Sequence, residues 1–355
     1  MKIVYVQTYP IYHDHLSEDQ WLQVENRDKW MPAITAEHGV ETEIWAVGRS
    51  RRTVEYQWKD STISIHIFPT SGKGAKTKFH FSDELIEYAK GLRNVHYILK
   101  GVDGGVGLRL LEKVILPSRT SFSFIIGGKC VTKYHKHAKM IFIESDFQKR
   151  LLTKPKWFFQ NSVSEEKLIP LAKSVDLDIF KPTHHFKEPT FDIITLGRLI
   201  PYYKNYEAIF ELSRKYTIAV IGGGPMLDEY RRKYPGIEWL GQLRHDQIPE
   251  VIQQARLFLY TSKRDYYPRA IAEAIACGMP IAAFSESISE DVVRPEFGIL
   301  LDDRTYSTEI ASLLGNPARL GNMSHNARLY AEANLSKTSS TPAVKEIIRR
   351  LSKDS

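Results

Sequence analysis

The chain predicts an α/β protein of two doubly wound parallel-sheet domains, and three observations carry that prediction. It is 355 residues long, which favours two cores over one. Short apolar runs recur along it, separated for the most part by segments of helical character, the alternation of a parallel sheet covered by helices. The alternation is interrupted over residues 180–191, where Lys181-Pro182-Thr183-His184-His185 is polar and proline-punctuated. The chain therefore divides into a first domain, 1–182, a second, 190–335, and a last segment, 336–355.

In the first domain, residues 2–7 read as a buried strand, bounded by Tyr9-Pro10. Residues 18–37 have helical character with a break at Pro32, because an interior proline removes a donor and crowds the preceding turn. Strands follow at 41–47 and at 62–68, where isoleucine alternates with polar residues, and a Gly/Lys/Thr loop covers 70–78. Then come helix 83–91, strand 95–99, helix 107–114 and strands 121–126 and 140–143. Ser145 caps a helix through 152, and 157–160 reads as a short strand. The second domain runs strand 192–196, helix 206–215, strand 218–221, helix 226–233, strand 237–240, helix 248–255 and strand 257–260. A final helix over 344–351 follows a Ser/Thr-rich stretch.

Composition narrows the function. Hydrophobic residues make up 43% of the chain, enough for two cores. The net charge of +7 and pI near 9.1 suit an anionic partner, phosphates or a membrane surface, or simply a solvated basic surface. The basic residues are scattered, without the dense block or aromatic pattern of a nucleic-acid binder, so no nucleic acid is expected as a partner. Cys130 and Cys277 are too far apart in sequence for a disulfide framework or a zinc set, which fits a reducing cytoplasm. No apolar run approaches the roughly 20 residues of a membrane span, and that at Ile3 to Val6 is too brief for a signal peptide. The expected location is cytoplasmic, with any membrane contact peripheral.

The densest chemical signal is at 264–280, Arg-Asp-Tyr-Tyr-Pro-Arg-Ala-Ile-Ala-Glu-Ala-Ile-Ala-Cys-Gly-Met-Pro. Pro268 sits where a helix begins, since proline suits the first turn, and Gly278 and Pro280 mark its end. Asp265 and Arg269 fall at the positive end of that helix, and Glu273 about one turn further, roughly 7 Å along the axis. A helix start attracts phosphate, and a carboxylate beyond it suits hydroxyls. That is the outline of a nucleotide-sugar site. Two further loops fit it. Gly197-Arg198-Leu199, with Lys204 after it, follows the second domain's first strand, and a guanidinium and an ammonium beyond a closely turning glycine suit a diphosphate. Gly222-Gly223-Gly224-Pro225 lies between strand and helix, where glycines admit a ligand or merely permit a tight turn. It is not the dinucleotide fingerprint, which disfavours a redox Rossmann protein.

The acidic pair Asp265 and Glu273 with the ending Glu-Ala-Ile-Ala-Cys-Gly-Met-Pro resembles the signature of retaining glycosyltransferase family 4, which has the GT-B fold: two Rossmann-like domains facing a cleft. The resemblance spans most of the chain and is strongest over 191–303. It implies a first domain that binds acceptor, a second that binds a nucleotide-diphosphate sugar such as a UDP-sugar, and a last helix that crosses back to the first. Arg198 and Lys204 would hold the donor diphosphate, with Gly197, Gly223 and Gly224 close beside it. Glu273 would hold the ribose and Asp265 the transferred sugar, and Tyr267, Pro268 and Arg269 would shape the turn next to them. The chain departs from the family in having Asp265 where glutamate is usual, and Tyr202-Tyr203 ahead of Lys204. Arg269 stands where a small or amide residue is common; it either reads a carboxylate on the donor sugar or points to solvent.

The first domain departs further. The family's histidine after the strand at 121–126 is replaced by Ile126-Gly127-Gly128-Lys129. Lys129 or Lys100 are candidates to fill its place. The loop of Asp103, Gly104 and Gly105 is a candidate on the acceptor side. His96 reads better as a core histidine than as a catalytic one. The cluster His13-Asp14-His15 and the pair Asp176-Leu177-Asp178 are weak metal signals. The expected activity is hexosyl transfer with retention in glycan biosynthesis. It runs from a nucleotide sugar to a hydroxyl on a glycan, a lipid-linked or a small-molecule acceptor, with no metal or other cofactor. The rivals are a nucleotide-sugar epimerase and a catalytically idle sugar-nucleotide binder.

Overall fold

The computed structural model describes residues 1–7, 18–23, 25–73, 79–101, 105–127, 132–154, 162–183, 189–201, 205–263 and 265–353. They form two compact units. One comprises Met1–Glu144, Gln148–Leu171 and Ser340–Ser355, the other Ser145–Phe147 and Ala172–Ser339. Residues 172–182, placed above with the first domain, group with the second unit. Phe180 is wholly buried in that unit's core, and the Val175 N–H donates to the Leu335 carbonyl at 2.7 Å.

The first unit holds an eight-stranded sheet among the described residues. In chain order its elements are β1 (Lys2–Val6), α1 (Glu18–Gln23), α2 (Arg27–Glu37), β2 (Thr42–Gly48), β3 (Arg52–Trp58), β4 (Ser61–Pro69), α3 (Asp83–Lys90) and β5 (Val95–Lys100). Then follow α4, which starts at Gly105–Leu110 and continues through a π-helical turn to Ser118, β6 (Phe122–Ile125), β7 (Ile141–Ile143), α5 (Asp146–Thr153) and β8 (Leu168–Pro170). The strand order is β3-β4-β2-β1-β5-β6-β7-β8. All pairs are parallel except β3–β4. Direction of winding therefore reverses between β1 and β5.

Central strands such as β1 and β5 are apolar on both faces, as helices on either side of a parallel sheet require. The edge strand β3 alternates half-buried and exposed residues and has no apolar run, which hides it in the sequence. It joins β4 through a tight turn with Lys59 at φ 48°.

Pro32 does not break a helix. It lies inside α2, and the interruption comes earlier, between α1 and α2, where the Asn26 side chain caps the Asp28 N–H at 2.9 Å. Proline at 32 leaves the Asp28 carbonyl without its helical donor, and Gln7 Nε2 supplies one at 3.3 Å. The strand expected at 157–160 lies outside the described residues. The last helix, α12 (Thr341–Ser352), buries Val344, Ile347 and Leu351 in the first unit's core with Ile34 and Ile169.

The second unit holds a six-stranded sheet, all parallel, in the order β11-β10-β9-β12-β13-β14. Its elements are β9 (Phe191–Leu196), α6 (Tyr206–Leu212), β10 (Ile218–Ile221), α7 (Leu227–Lys233), β11 (Glu238–Gly241), α8 (Ile248–Ile252), β12 (Ala255–Tyr260), α9 (Arg269–Ala276), β13 (Ile281–Phe284), β14 (Gly298–Leu301), α10 (Tyr306–Leu314) and α11 (Pro317–Asn334). The chain steps outward through β9, β10 and β11, then returns to place β12 on the other side of β9. In such a sheet the crevice at the carboxyl ends of the reversing strands is where ligands bind.

Candidate functional site

The candidate site lies at that reversal in the second unit. Beyond β9, Gly197, Arg198 and Leu199 run beside the glycine loop after β10. The Gly197 N–H donates to the Ile221 carbonyl at 3.0 Å, and the Leu199 N–H to the Gly223 carbonyl at 2.9 Å. This close approach demands glycine. At Gly222, φ +145°, a Cβ would lie 1.9 Å from the Gly197 carbonyl oxygen, and at Gly224, φ +150°, 2.3 Å from that of Leu199. Tyr206 Oη donates to the Arg198 carbonyl at 3.3 Å, and the Asn205 N–H to that of Thr261 at 3.0 Å. The loop after β9 is thus tied to the end of β12.

At the end of β12 the Tyr260 hydroxyl donates to the Asp265 carboxylate. Burial, and then the Asp265 charge, push that phenol well above its usual range. Tyr267 is buried, and Pro268, in extended conformation, precedes the first turn of α9 as its cap residue. Arg269 opens the helix with an exposed side chain. α9 ends in Gly278 at φ +73°, and Arg328 of α11 donates to the Ala276 carbonyl at 2.8 Å, a cation at a helix C-terminus.

Glu273 is on the inner face of α9 with its side chain 5% exposed, and it meets Nε2 of His245 at 3.1 Å. His245 comes from the loop after β11, stands 47% exposed, and packs edge-on to Phe180 with ring centroids 4.8 Å apart. Sequence reading missed it. The signal available was a lone histidine between Arg244 and Asp246 in a polar loop, with nothing to tie it to an acid 28 residues on.

The structure therefore gathers Gly197, Arg198, Gly223, Gly224, Asp265, Tyr267, Pro268, Arg269 and Glu273 on the loops and helix at one edge of one sheet. Lys204, Asp103, Gly104 and Lys129 lie outside the described residues, as do His13 to His15. Gly105 begins α4 in the first unit and is buried. Lys100, a candidate for the place of the missing histidine, binds Asp28 Oδ1 at 2.6 Å. His96 is a core residue, its Nδ1 2.7 Å from Ser121 Oγ and its Nε2 2.9 Å from Ser123 Oγ. Asp176 and Asp178 face Lys337 at 2.8 and 3.4 Å. Among the described residues no group of three or more His, Cys, Asp or Glu side chains is placed to hold a metal ion.

The whole chain superimposes on solved structures of known architecture. Sucrose-phosphate synthase from Thermosynechococcus elongatus matches with a TM-score of 0.72 over 100% of both chains at 13% identity. The chain has the GT-B fold. The pneumococcal O-GlcNAc transferase, solved with UDP and GlcNAc, shares that GT-B fold at a TM-score of 0.66, covering 99% of both chains at 12% identity. Residues 176–330, which hold the whole candidate site, match the family described as glycosyl transferases group 1. Two curated relatives, each a subunit of phosphatidylinositol N-acetylglucosaminyltransferase, are similar over part of the chain. The one from Homo sapiens is 30% identical over 126 residues, 32% of this chain and 26% of its own length. The one from Arabidopsis thaliana is 32% identical over 136 residues, 34% and 30% respectively. The matched segment spans less than a third of either relative. No helix among the described residues is long and apolar enough to cross a membrane.

Proposed function

We propose that the chain is a glycosyltransferase that moves a sugar from a nucleotide-diphosphate sugar to a hydroxyl acceptor with retention of anomeric configuration and without a metal. One observation carries this reading: the Gly197–Arg198 segment packs against the glycine loop, and these and the start of α9 follow the neighbouring strands β9, β10 and β12 at the reversal of the second sheet, inside the segment similar to glycosyl transferases group 1. Backbone N–H groups at glycines and a helix start suit phosphate oxygens. Arg198 and Lys204 then stabilise the charge that grows on the leaving diphosphate, an effect worth several kcal/mol in a site of this kind. Glu273 accepts from the ribose hydroxyls, held in place by His245, and Asp265 contacts the transferred sugar.

The bond from the anomeric carbon to the phosphate oxygen breaks as the acceptor oxygen bonds to that carbon on the same face, and the departing phosphate takes the acceptor's proton. No protein nucleophile is needed, which accommodates the missing first-domain histidine. A UDP-linked hexose or N-acetylhexosamine is the donor this reading favours. The curated relatives are named for N-acetylglucosaminyl transfer, and a solved neighbour binds UDP and GlcNAc. The acceptor is a glycan, a lipid-linked or a small hydroxyl compound, met in the cytoplasm or peripherally at a membrane.

Thermal-shift screening against a panel of nucleotide sugars, followed by a transfer assay on the donor found, tests this. Stabilisation by one donor, acceptor-dependent release of its nucleotide unaffected by a chelator, and an unchanged anomeric centre by NMR are expected. Donor consumed without acceptor points to an epimerase. Donor bound but never turned over points to a sugar-nucleotide binder, a reading favoured by the departure at residues 126–129.

A further inference from the structure

The chain that leaves β12 is tied down residue by residue. The Thr261 carbonyl accepts from the Asn205 N–H at 3.0 Å, the Ser262 carbonyl accepts from the Ser287 hydroxyl at 2.9 Å, and the Lys263 ammonium binds Asp303. Asp265 is held from another direction. Its carboxylate takes the hydroxyl of Tyr260, the last residue of β12, which is 2% exposed. The Tyr260 ring belongs to the same core as Phe258, Ile271 and Ala274, so the donor is set by packing on the inner side of the sheet.

The bland explanation is mutual satisfaction of a buried phenol and a nearby acid. Neither partner requires it. Phenylalanine would fill the same place in the core without a polar atom to satisfy, so packing does not call for the hydroxyl. Asp265 is only half-buried, so water reaches its carboxylate without help from the core. What the bond adds is a fixed position for the acid. Burial, and then the Asp265 charge, keep the phenol protonated, so it acts as a donor throughout the working range of pH. The second acid of the site is held differently. Glu273 meets His245, which is 47% exposed on a loop, whereas Asp265 is held from inside the core.

We propose that Tyr260 is a positioning residue for sugar transfer: its hydroxyl holds the Asp265 carboxylate where it accepts from a hydroxyl of the donor's sugar. This rests on the glycosyltransferase reading above, which sets Asp265 against the transferred sugar. A carboxylate offers about four acceptor sites, enough for the phenol and a sugar hydroxyl together. An acceptor held in advance by a packed donor loses no ordering entropy when the sugar arrives.

The test uses the full chain, with UDP and UDP-N-acetylglucosamine as probes in calorimetry, and the variants Tyr260→Phe, Asp265→Ala and both together. Tyr260→Phe keeps the ring and removes only the hydroxyl. It should bind UDP within about twofold of wild type, which also shows that the fold is intact, and UDP-N-acetylglucosamine at least about fivefold more weakly. Asp265→Ala should weaken the sugar-bearing probe at least as much, and adding Tyr260→Phe to it should cost no more than about twofold further, because the two residues act as one. A hydroxyl with a merely structural role would change both affinities together or neither. Equal losses for the two probes, no loss for either, or a Tyr260→Phe loss that persists in full beside Asp265→Ala overturns the proposal. Wild type that binds neither probe, or an Asp265→Ala variant that binds both as wild type does, removes the donor-site reading itself and the proposal with it.

Discussion

At the carboxyl end of the first unit's sheet, two ion pairs stand among the described residues. Lys100 meets Asp28 at 2.6 Å, Arg27 meets the buried Glu144, and Gln148 ties the Glu144 N–H to the Gly127 carbonyl. At the same end of the second unit's sheet the wall is glycine backbone pressed against the chain after β9, with a buried carboxylate held by a half-exposed histidine. Two sheets of one architecture thus carry different edges. Close-packed glycine N–H groups and a helix start suit an anion. The match to the family described as glycosyl transferases group 1 covers residues 176–330, which include the second edge.

The contrast breaks most readily at the glycines. Gly222→Ala forces a Cβ to within 1.9 Å of a carbonyl oxygen at a φ of +145° and should cost roughly 3 kcal/mol or more of local stability. Gly127→Ala, where a Cβ meets nothing within 4 Å, should stay within about 0.5 kcal/mol. Native-state hydrogen exchange of β10 and β6 amides compares the two. Equal protection losses would mean that the second edge is no tighter than the first.

Next in size is the site itself. Glu273→Ala, Arg198→Ala and Lys204→Ala should each lower donor affinity or turnover at least tenfold, about 1.4 kcal/mol, with the fold intact. Wild-type kinetics in Glu273→Ala and Lys204→Ala together would remove the assignment. His245→Ala should raise the donor KM more than it lowers kcat, and His245→Gln, which keeps a donor near Glu273, should recover part of the loss.

Acid sensitivity should reside in the first unit. Burial, and then the charge of Lys139, lower His96 from its ordinary 6.5 to about 3. The unfolded chain therefore takes up that proton first. Stability from this group is whole above about pH 6.5 and falls towards pH 3, by up to about 1.4 kcal/mol per pH unit. Denaturation midpoints of wild type and His96→Gln across that range should converge as pH falls, and a constant gap would contradict the assignment. The smallest effect belongs to Lys100→Met. It removes a pair only part-buried and should cost about 1 kcal/mol or less, read from the thermal midpoint.

The strands at the centre of each sheet were legible because burial on both faces leaves continuous apolar runs, as in Ile281–Phe284. The start and stop of α9 were legible because Pro268, Gly278 and Pro280 act on the local backbone. β3 was not, since an edge strand with half-exposed faces has no apolar run. Pro32 misled because its cost is met by Gln7, a residue 25 positions earlier that no local rule connects to it.

By itself, the order of residues determined most of the element types, the doubly wound α/β class and the motifs at 197–199, 222–225 and 265–273, because each rests on patterns a few positions long. Only the tertiary structure decided that β12 returns beside β9, that His245 reaches Glu273, and that α12 packs into the first unit. These depend on which buried surfaces meet across long stretches of chain. That choice is made by the summed burial of whole elements, which no short window of sequence contains.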